Sequence, residues 1–251
     1  MISFKPEVIF NLGNILQITN TFLDTILVDV GLIAGSYFIT RKLTEIPSML
    51  QNGLETIIES FYSLTESVAD SRAPMIFPFF MTFFLFIIAA NWSGLIPGVN
   101  TVGFFRNRQF IPLLRSATSD LNVTVGLAIV SAVATHILSI RTIGIKNYLG
   151  RFFSINPLNF FIGILEIISE ITKVISLSFR LFGNIFAGEV VLTIVSGIFA
   201  LFFPLPFIFL EIIVGLVQAL VFSMLTMVFM AILTEPHSAE DIQIAPVNQT
   251  G

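Results

Sequence analysis

Arg180 is the feature of the sequence that most constrains the fold. It lies in a stretch of roughly 75 residues, 158–233, in which nearly all other side chains are apolar, and this length allows more than one crossing of a bilayer. A guanidinium group does not lose its charge, so placing it in hydrocarbon costs at least ~2.5–3.5 kcal/mol. The chain therefore either uses this charge or neutralises it with a partner.

Composition agrees with a membrane protein. Hydrophobic residues make up 55% of the 251 residues and charged residues only 11%, against about 25% charged residues in an average soluble domain. We therefore expect an integral membrane protein that forms a single membrane domain over 1–251. A net charge of −4 without any basic run argues against nucleic acid as a partner, and the absence of cysteine excludes disulfides and thiolate metal sites.

The apolar stretches predict an all-α fold with about five membrane helices, of which the last two form a long, strongly tilted hairpin over 158–233. The other predicted segments are an N-terminal segment (1–20), an amphipathic helix on the membrane surface (42–70) and a polar tail (234–251). The first three spans are predicted at 21–40, 76–96 and 121–140. Asp24 and Asp29 interrupt the first span, and we expect them at its aqueous end rather than against another helix.

The hairpin prediction follows from the breaks and the acids in the last stretch. Residues 158–200 form one helix of about 65 Å if uninterrupted, far more than the ~30 Å of hydrocarbon, so this helix tilts or bends. Proline then interrupts the helical pattern. Pairing Arg180 with Gln218 and Glu189 with Glu211 places the apex of an antiparallel hairpin at nearly the same position in both cases. This register predicts two carboxylates level with each other.

The polar side chains around Arg180 follow one side of the helix. At ~100° per residue they fall within a stripe about 120° wide, which contains Glu166, Ser169, Glu170, Lys173, Ser176 and Asn184. For Glu166, Glu170 and Lys173 ordinary ion pairs near the helix start are the favoured interpretation. Glu189 points about 180° away from Arg180, which argues against an ion pair between them.

Four motifs in this order resemble those of one family. They are Asn91–Gly98 (NWSGLIPG), Thr118–Thr124 (TSDLNVT), Ser176–Asn184 (SLSFRLFGN) continued by Ala187-Gly188-Glu189, and Gln218–Phe222 (QALVF). Together they resemble subunit a of the rotary F-type ATP synthase, from about Pro74 to the polar tail. The arginine motif is highly specific, and the other three gain weight from their order.

The resemblance implies a stator subunit that works beside a rotating ring of small two-helix proteolipid subunits, with peripheral-stalk subunits and the lipid bilayer as further partners. Protons would reach and leave a rotor carboxylate through two aqueous half-channels, separated by a fixed arginine. The residues implied in ion translocation are Arg180, Glu189, Glu211, Gln218 and Asn184, with Asp120, Asn122 and Ser176 as possible channel lining. For Asp120, a role as a helix cap and a role in ion entry are equally supported.

No catalytic residue, cofactor or metal is expected in this chain. It lacks a G-x-x-x-x-G-K-[ST] loop, so nucleotide chemistry would belong to a partner. The expected location is the bacterial plasma membrane, with an organellar energy-transducing membrane as the alternative. The resemblance places the N-terminus on the outer side, with the loop arginines Arg106, Arg108 and Arg115 outside as well, against the usual bias of positive charge. His136 is expected to be a packed or interfacial residue.

Three alternatives remain open at this point. Sodium could replace the proton as coupling ion in the same subunit. A self-contained secondary transporter is less favoured, because the sequence shows no paired repeat of interrupted helices. A purely structural membrane anchor leaves the solvation cost of Arg180 unexplained.

Overall fold

A computed structural model of the chain describes residues 8–12, 16–41, 47–96, 102–106, 109–152, 157–198 and 203–235. The described part contains seven α-helices: α1 (Asn20–Arg41), α2 (Met49–Ala69), α3 (Ala73–Ser93), α4 (Leu121–Ile143), α5 (Ile145–Phe152), α6 (Pro157–Ile198) and α7 (Pro204–Leu233). The predicted mostly helical membrane architecture is confirmed.

Two short antiparallel β-hairpins are the departure from the all-α prediction. The first pairs β1 (Val8–Leu12) with β2 (Leu16–Thr19) in the predicted N-terminal segment. The second pairs β3 (Gly103–Arg106) with β4 (Gln109–Pro112) in the connection before α4, with Phe105 opposite Phe110. Both consist of strands of four or five residues.

The core lies between α3, α4 and α7, and α6 packs against it. One cluster of buried side chains joins the start of α3 to the ends of α4 and α7, and includes Ile76, Phe80, Leu138, Met227 and Met230. A second cluster, further along α3, includes Phe84, Ile87, Ala128, Leu181 and Phe222. Because Leu181 follows Arg180 directly, the packing of this cluster fixes the depth and rotation of the arginine within the bundle.

Local signals explain where several helices begin and end. The Asp120 carboxylate accepts a hydrogen bond from the Asn122 backbone N–H at 2.9 Å and so caps the start of α4. α6 and α7 each begin with proline, whose missing N–H is not needed in the first turn. At the other end of α7, Arg72 Nη1 donates to the Ala231 carbonyl at 3.0 Å, where a helix favours a cation.

Four stretches are long and apolar enough to cross a membrane by length and composition: Asn20–Arg41, Gln51–Ser93, Leu121–Ile143 and Pro204–Leu233. α6 is not among them, so the number of five spans stays a prediction. α2 is shorter than the predicted 42–70, because Ser48 caps its start and it ends at Ala69; residues 42–46 lie outside the described part. Its Phe61 ring packs at 5.5 and 5.0 Å from Phe80 and Phe84 of α3, and its location on the membrane surface stays a prediction.

The last two helices are antiparallel neighbours. α6 has 42 residues, about 63 Å at 1.5 Å per residue, and α7 has 30. Their observed bounds differ from the predicted ones by at most a few residues, because proline and the apolar pattern are local signals. The predicted apex and residues 236–251 of the predicted tail 234–251 lie outside the described residues, and the tilt of the pair stays a prediction.

Candidate functional site

Arg180 lies on the outer surface of the chain. Its side chain is exposed on α6 together with Ser176, Gly183, Asn184 and Ala187, a set called the Arg180 strip below. Its Nη2 lies 3.4 Å from the Ser176 hydroxyl oxygen, to which it donates a weak hydrogen bond. Among the described residues no carboxylate forms an ion pair with Arg180. The charge is thus not neutralised within the described part of this subunit.

The Arg180 strip is joined to α7 by an amide pair. Asn184 Nδ2 donates to Gln218 Oε1 at 2.8 Å, and Gln218 is 3% exposed. The Nε2 of Gln218 is buried and has no hydrogen-bond partner among the described residues. Sequence reasoning placed Gln218 level with Arg180, whereas its observed partner lies one turn further along α6. The amide therefore leaves the guanidinium free to face outward.

Glu211 packs directly against the backbone of α6. It is 5% exposed, and its carboxylate occupies the space where a Cβ on Gly188 would lie. Glycine at this position is therefore what admits the acid. Gly188 immediately precedes Glu189, so the structure brings Glu189 and Glu211 to the same level of the hairpin. Their roles in ion translocation remain proposals.

Arg115 is a site residue that sequence reasoning missed. Its Nε and Nη2 each donate to the Glu189 carboxylate at 2.9 Å, to different oxygens, in the two-pronged geometry that makes such pairs strong. Arg115 lies in the connection before α4, as expected, but its side chain is only 4% exposed; its location on the outer side stays a prediction. The signal available in the sequence was indirect: two acids in an apolar hairpin need a cation, and Arg115 lies three residues before the start of the TSDLNVT motif.

These three groups form what we call the acid cluster: Arg115, Glu189 and Glu211. With both acids ionised, the cluster carries one net negative charge, since one cation faces two anions. One added proton makes it neutral, which is the favoured total charge for groups removed from water.

Asp24 and Asp120 hold the connection before α4 in place. Asp24 is 1% exposed, and its Oδ2 accepts from the Ser93 hydroxyl at 2.8 Å and from the Ala117 N–H at 2.9 Å. Asp24 therefore packs against another helix, the alternative that the sequence favoured less, and its position relative to the membrane end stays a prediction. Asp120 caps α4, also accepts from the Asn122 side-chain amide at 3.1 Å, and binds the Thr21 hydroxyl at 3.0 Å. A role in ion entry for Asp120 or Asn122 stays a proposal.

Arg180 lies between two groups of ionisable side chains. The acid cluster lies towards the end of the bundle that contains the start of α4. On the other side, Glu170 and Lys173 of α6 form an ion pair at 2.6 Å, as the sequence predicted, and His136 of α4 lies 3.6 Å from Glu170. Among the described residues, no group of three His, Cys, Asp or Glu side chains is arranged to hold a metal ion.

A bundle of apolar helices with an exposed arginine midway between two ionisable groups is characteristic of an integral membrane subunit concerned with ion transport. Comparison with known proteins agrees. The family described as "ATP synthase A chain" matches residues 22–231.

Curated relatives cover most of this chain. It is 34% identical to the "ATP synthase subunit a" of Moorella thermoacetica over 237 residues, which are 94% of this chain and 100% of the relative. It is 34% identical to "ATP synthase subunit a 2" of Pelobacter propionicus, with 90% of each chain covered. It is 32% identical to the protein of Geobacter sulfurreducens, with 82% of this chain and 83% of the relative covered. The chain belongs to the ATP synthase subunit a family, which confirms the resemblance, and it is a subunit of the ATP synthase membrane sector.

Proposed function

We propose that this subunit is the proton-conducting stator, in which Arg180 is the fixed charge that separates two half-channels. The observation that carries this proposal is the exposure of Arg180 on α6, without a carboxylate partner among the described residues. In contact with lipid, this charge would cost several kcal/mol. A neighbouring subunit that brings an acid to the Arg180 strip removes this cost.

The shape of the Arg180 strip suits such a neighbour. Gly183 and Ala187 are exposed on either side of Asn184, and small residues let another helix approach closely. The rotor ring of small two-helix proteolipid subunits, each with one membrane carboxylate, is the partner we assign to this strip. Peripheral-stalk subunits are further partners, and the bacterial relatives support a bacterial plasma membrane as the location.

The mechanism follows from the charge of Arg180. A rotor carboxylate that arrives opposite the guanidinium is favoured in its ionised form, because a nearby opposite charge stabilises the anion. The rotor acid therefore releases its proton on one side of Arg180 and takes up another on the far side. Because arginine does not lose its own proton, the positive charge persists and repels protons that would otherwise pass straight across.

The acid cluster supplies protons on one side. Glu211 packs against Gly188, the residue before Glu189, while Arg115 holds Glu189. The two acids then exchange a proton as a coupled pair. Asn184 and Gln218 connect the helices at the level of Arg180, and Ser176 is the nearest hydroxyl to the guanidinium. These contacts support Asn184 and Gln218 as positioning residues, and Ser176 as lining on the opposite side.

Replacement of Arg180 tests the proposal. In the complete complex reconstituted in vesicles, Arg180→Ala should reduce ATP-driven proton pumping by at least ~100-fold, because no fixed charge drives ionisation of the rotor acid. Arg180→Lys should retain only part of the activity, since a buried ammonium can lose its proton. Pumping is measured by quenching of a pH-sensitive dye, and co-purification of all subunits controls for assembly. Normal pumping by an assembled Arg180→Ala complex would contradict the proposal.

A further inference from the structure

A second cluster of titratable side chains lies where α4, α5 and α6 meet. The Tyr148 hydroxyl lies 3.0 Å from Nδ1 of His136, and Nε2 of His136 lies 3.6 Å from Oε2 of Glu170. Lys173 donates to the other oxygen of Glu170 at 2.6 Å. Three helices thus bring a phenol, an imidazole, a carboxylate and an ammonium group into one continuous line of contacts.

The hydrogen bonding of Glu170 is incomplete. Its Oε1 holds Lys173, whereas its Oε2 is buried and has no hydrogen-bond partner among the described residues. The 3.6 Å between Oε2 and His136 Nε2 is too long for a hydrogen bond, and a buried acceptor without a donor is destabilising. A proton added to either atom supplies the missing donor. An ion pair that only stabilised the fold would need Lys173 and Glu170 but neither His136 nor Tyr148.

Two further titratable side chains, Lys173 and Tyr148, contact the His136–Glu170 pair. The Lys173 side chain is 8% exposed and its Nζ lies 3.7 Å from the ring centroid of Phe229 on α7, so Glu170 and the ring both contact the ammonium group. Tyr148 is the titratable group that faces His136 from α5. Glu166 lies one turn before Glu170 on α6.

The His136–Glu170 cluster lies nearer the start of α6 than the Arg180 strip, on the opposite side of Arg180 from the acid cluster. Arg180, Ser176, Lys173 and Glu170 follow one another at intervals of about one turn, so Glu170 lies ~15 Å from Arg180 along the helix, on the opposite side from Glu189. His136 lies seven residues before the end of α4, next to α5. The His136–Glu170 contact therefore lies between Arg180 and the end of the molecule that contains α5.

We propose that His136 and Glu170 form a proton-relay pair on the release side of Arg180. A proton that has left the rotor acid reaches Oε2 of Glu170 through water and passes to Nε2 of His136, which becomes an imidazolium. The imidazolium gives its Nδ1 proton to water beside the Tyr148 hydroxyl, and exchange with water restores the starting tautomer, so the pair gains no net proton. Histidine suits this step because one ring nitrogen can take up a proton while the other gives one up. The inference rests on the proposed function and adds the residues of its release path.

The test uses the complete ATP synthase in vesicles, with ATP synthesis driven by an imposed gradient. His136→Gln and Glu170→Gln keep similar side-chain volumes and remove the relay, so each should lower the rate at least ~fivefold and change its dependence on the pH of the α5 side. Added imidazole, a small diffusible base, should restore part of the rate in His136→Gln and leave the wild type unchanged. Thr142→Val is the matched control, because Thr142 lies further along α4 and bonds the Leu138 carbonyl through a group that does not titrate.

The outcomes separate this inference from the proposed function. If either variant assembles and shows the wild-type rate and pH profile, the relay is overturned. Failure of both variants to assemble would also overturn it, because the cluster would then have a structural role. An inactive Arg180→Ala complex together with normal His136→Gln and Glu170→Gln complexes would overturn the relay alone. Normal pumping by Arg180→Ala would overturn the proposed function, and with it the relay that rests on that function.

Discussion

At the scale of single residues, the sequence could predict only those site residues that stand out from their local surroundings. Arg180 stood out because a permanent charge in an apolar stretch is costly wherever the chain folds. Arg115 did not, because its bond to Glu189 joins residues 74 positions apart and no local pattern encodes that contact. His136 was expected to be a packed or interfacial residue. Its neighbours Tyr148 and Glu170 could be identified only once α5 and α6 were placed beside α4.

Gly188 gives the sharpest prediction at this scale. In Gly188→Ala the new Cβ collides with the Glu211 carboxylate, so we expect ATP-driven proton pumping to fall at least ~tenfold. Shortening the acid in the double variant Gly188→Ala with Glu211→Asp should recover part of the loss. Gly126→Ala on α4 is the control, because its Cβ would have nothing within 4 Å. Equal effects of the two alanine variants would contradict the observed packing of Glu211.

At the scale of elements, the bounds of the long helices could be predicted closely because proline, caps and apolar periodicity act within a few residues. The hairpin register was predicted well for Glu189 and Glu211, which meet at Gly188. For Gln218 the predicted register differs from the observed contact by about one turn, because Gln218 bonds Asn184 and not Arg180. Residue spacing does not encode side-chain length or helix rotation. The two β-hairpins were missed because their short strands leave little periodic signal.

The packing of α4 on α7 can be tested by disulfide formation. The chain has no cysteine, and the hydroxyl oxygens of Ser131 and Thr226 lie 2.8 Å apart. Ser131→Cys with Thr226→Cys should therefore form a disulfide readily under mild oxidation, detected by a mobility shift in a non-reducing gel. Ser131→Cys with Ser223→Cys, one turn away on α7, should react much less. Equal yields from the two pairs would contradict the packing of these helices.

At the scale of the whole molecule, the division of ionisable groups around Arg180 depends on contacts that span the chain. The acid cluster requires the connection before α4 to lie against α6, and Asp24 of α1 helps to hold that connection through Ser93 and Ala117. Composition and motifs could predict that the protein is a membrane subunit of this family. They could not predict which charges lie on which side of Arg180, because that depends on how the helices pack together.

The central claim is that the Arg180 strip faces the carboxylate of the rotor ring, and crosslinking tests it most directly. In the assembled complex, Ala187→Cys should crosslink to a cysteine placed beside the membrane carboxylate of the rotor subunit, because Ala187 lies within ~20° of Arg180 around α6. Val130→Cys on α4, where the native side chain is 57% exposed, should give no such product. A rotor crosslink from Val130→Cys and none from Ala187→Cys would contradict the account.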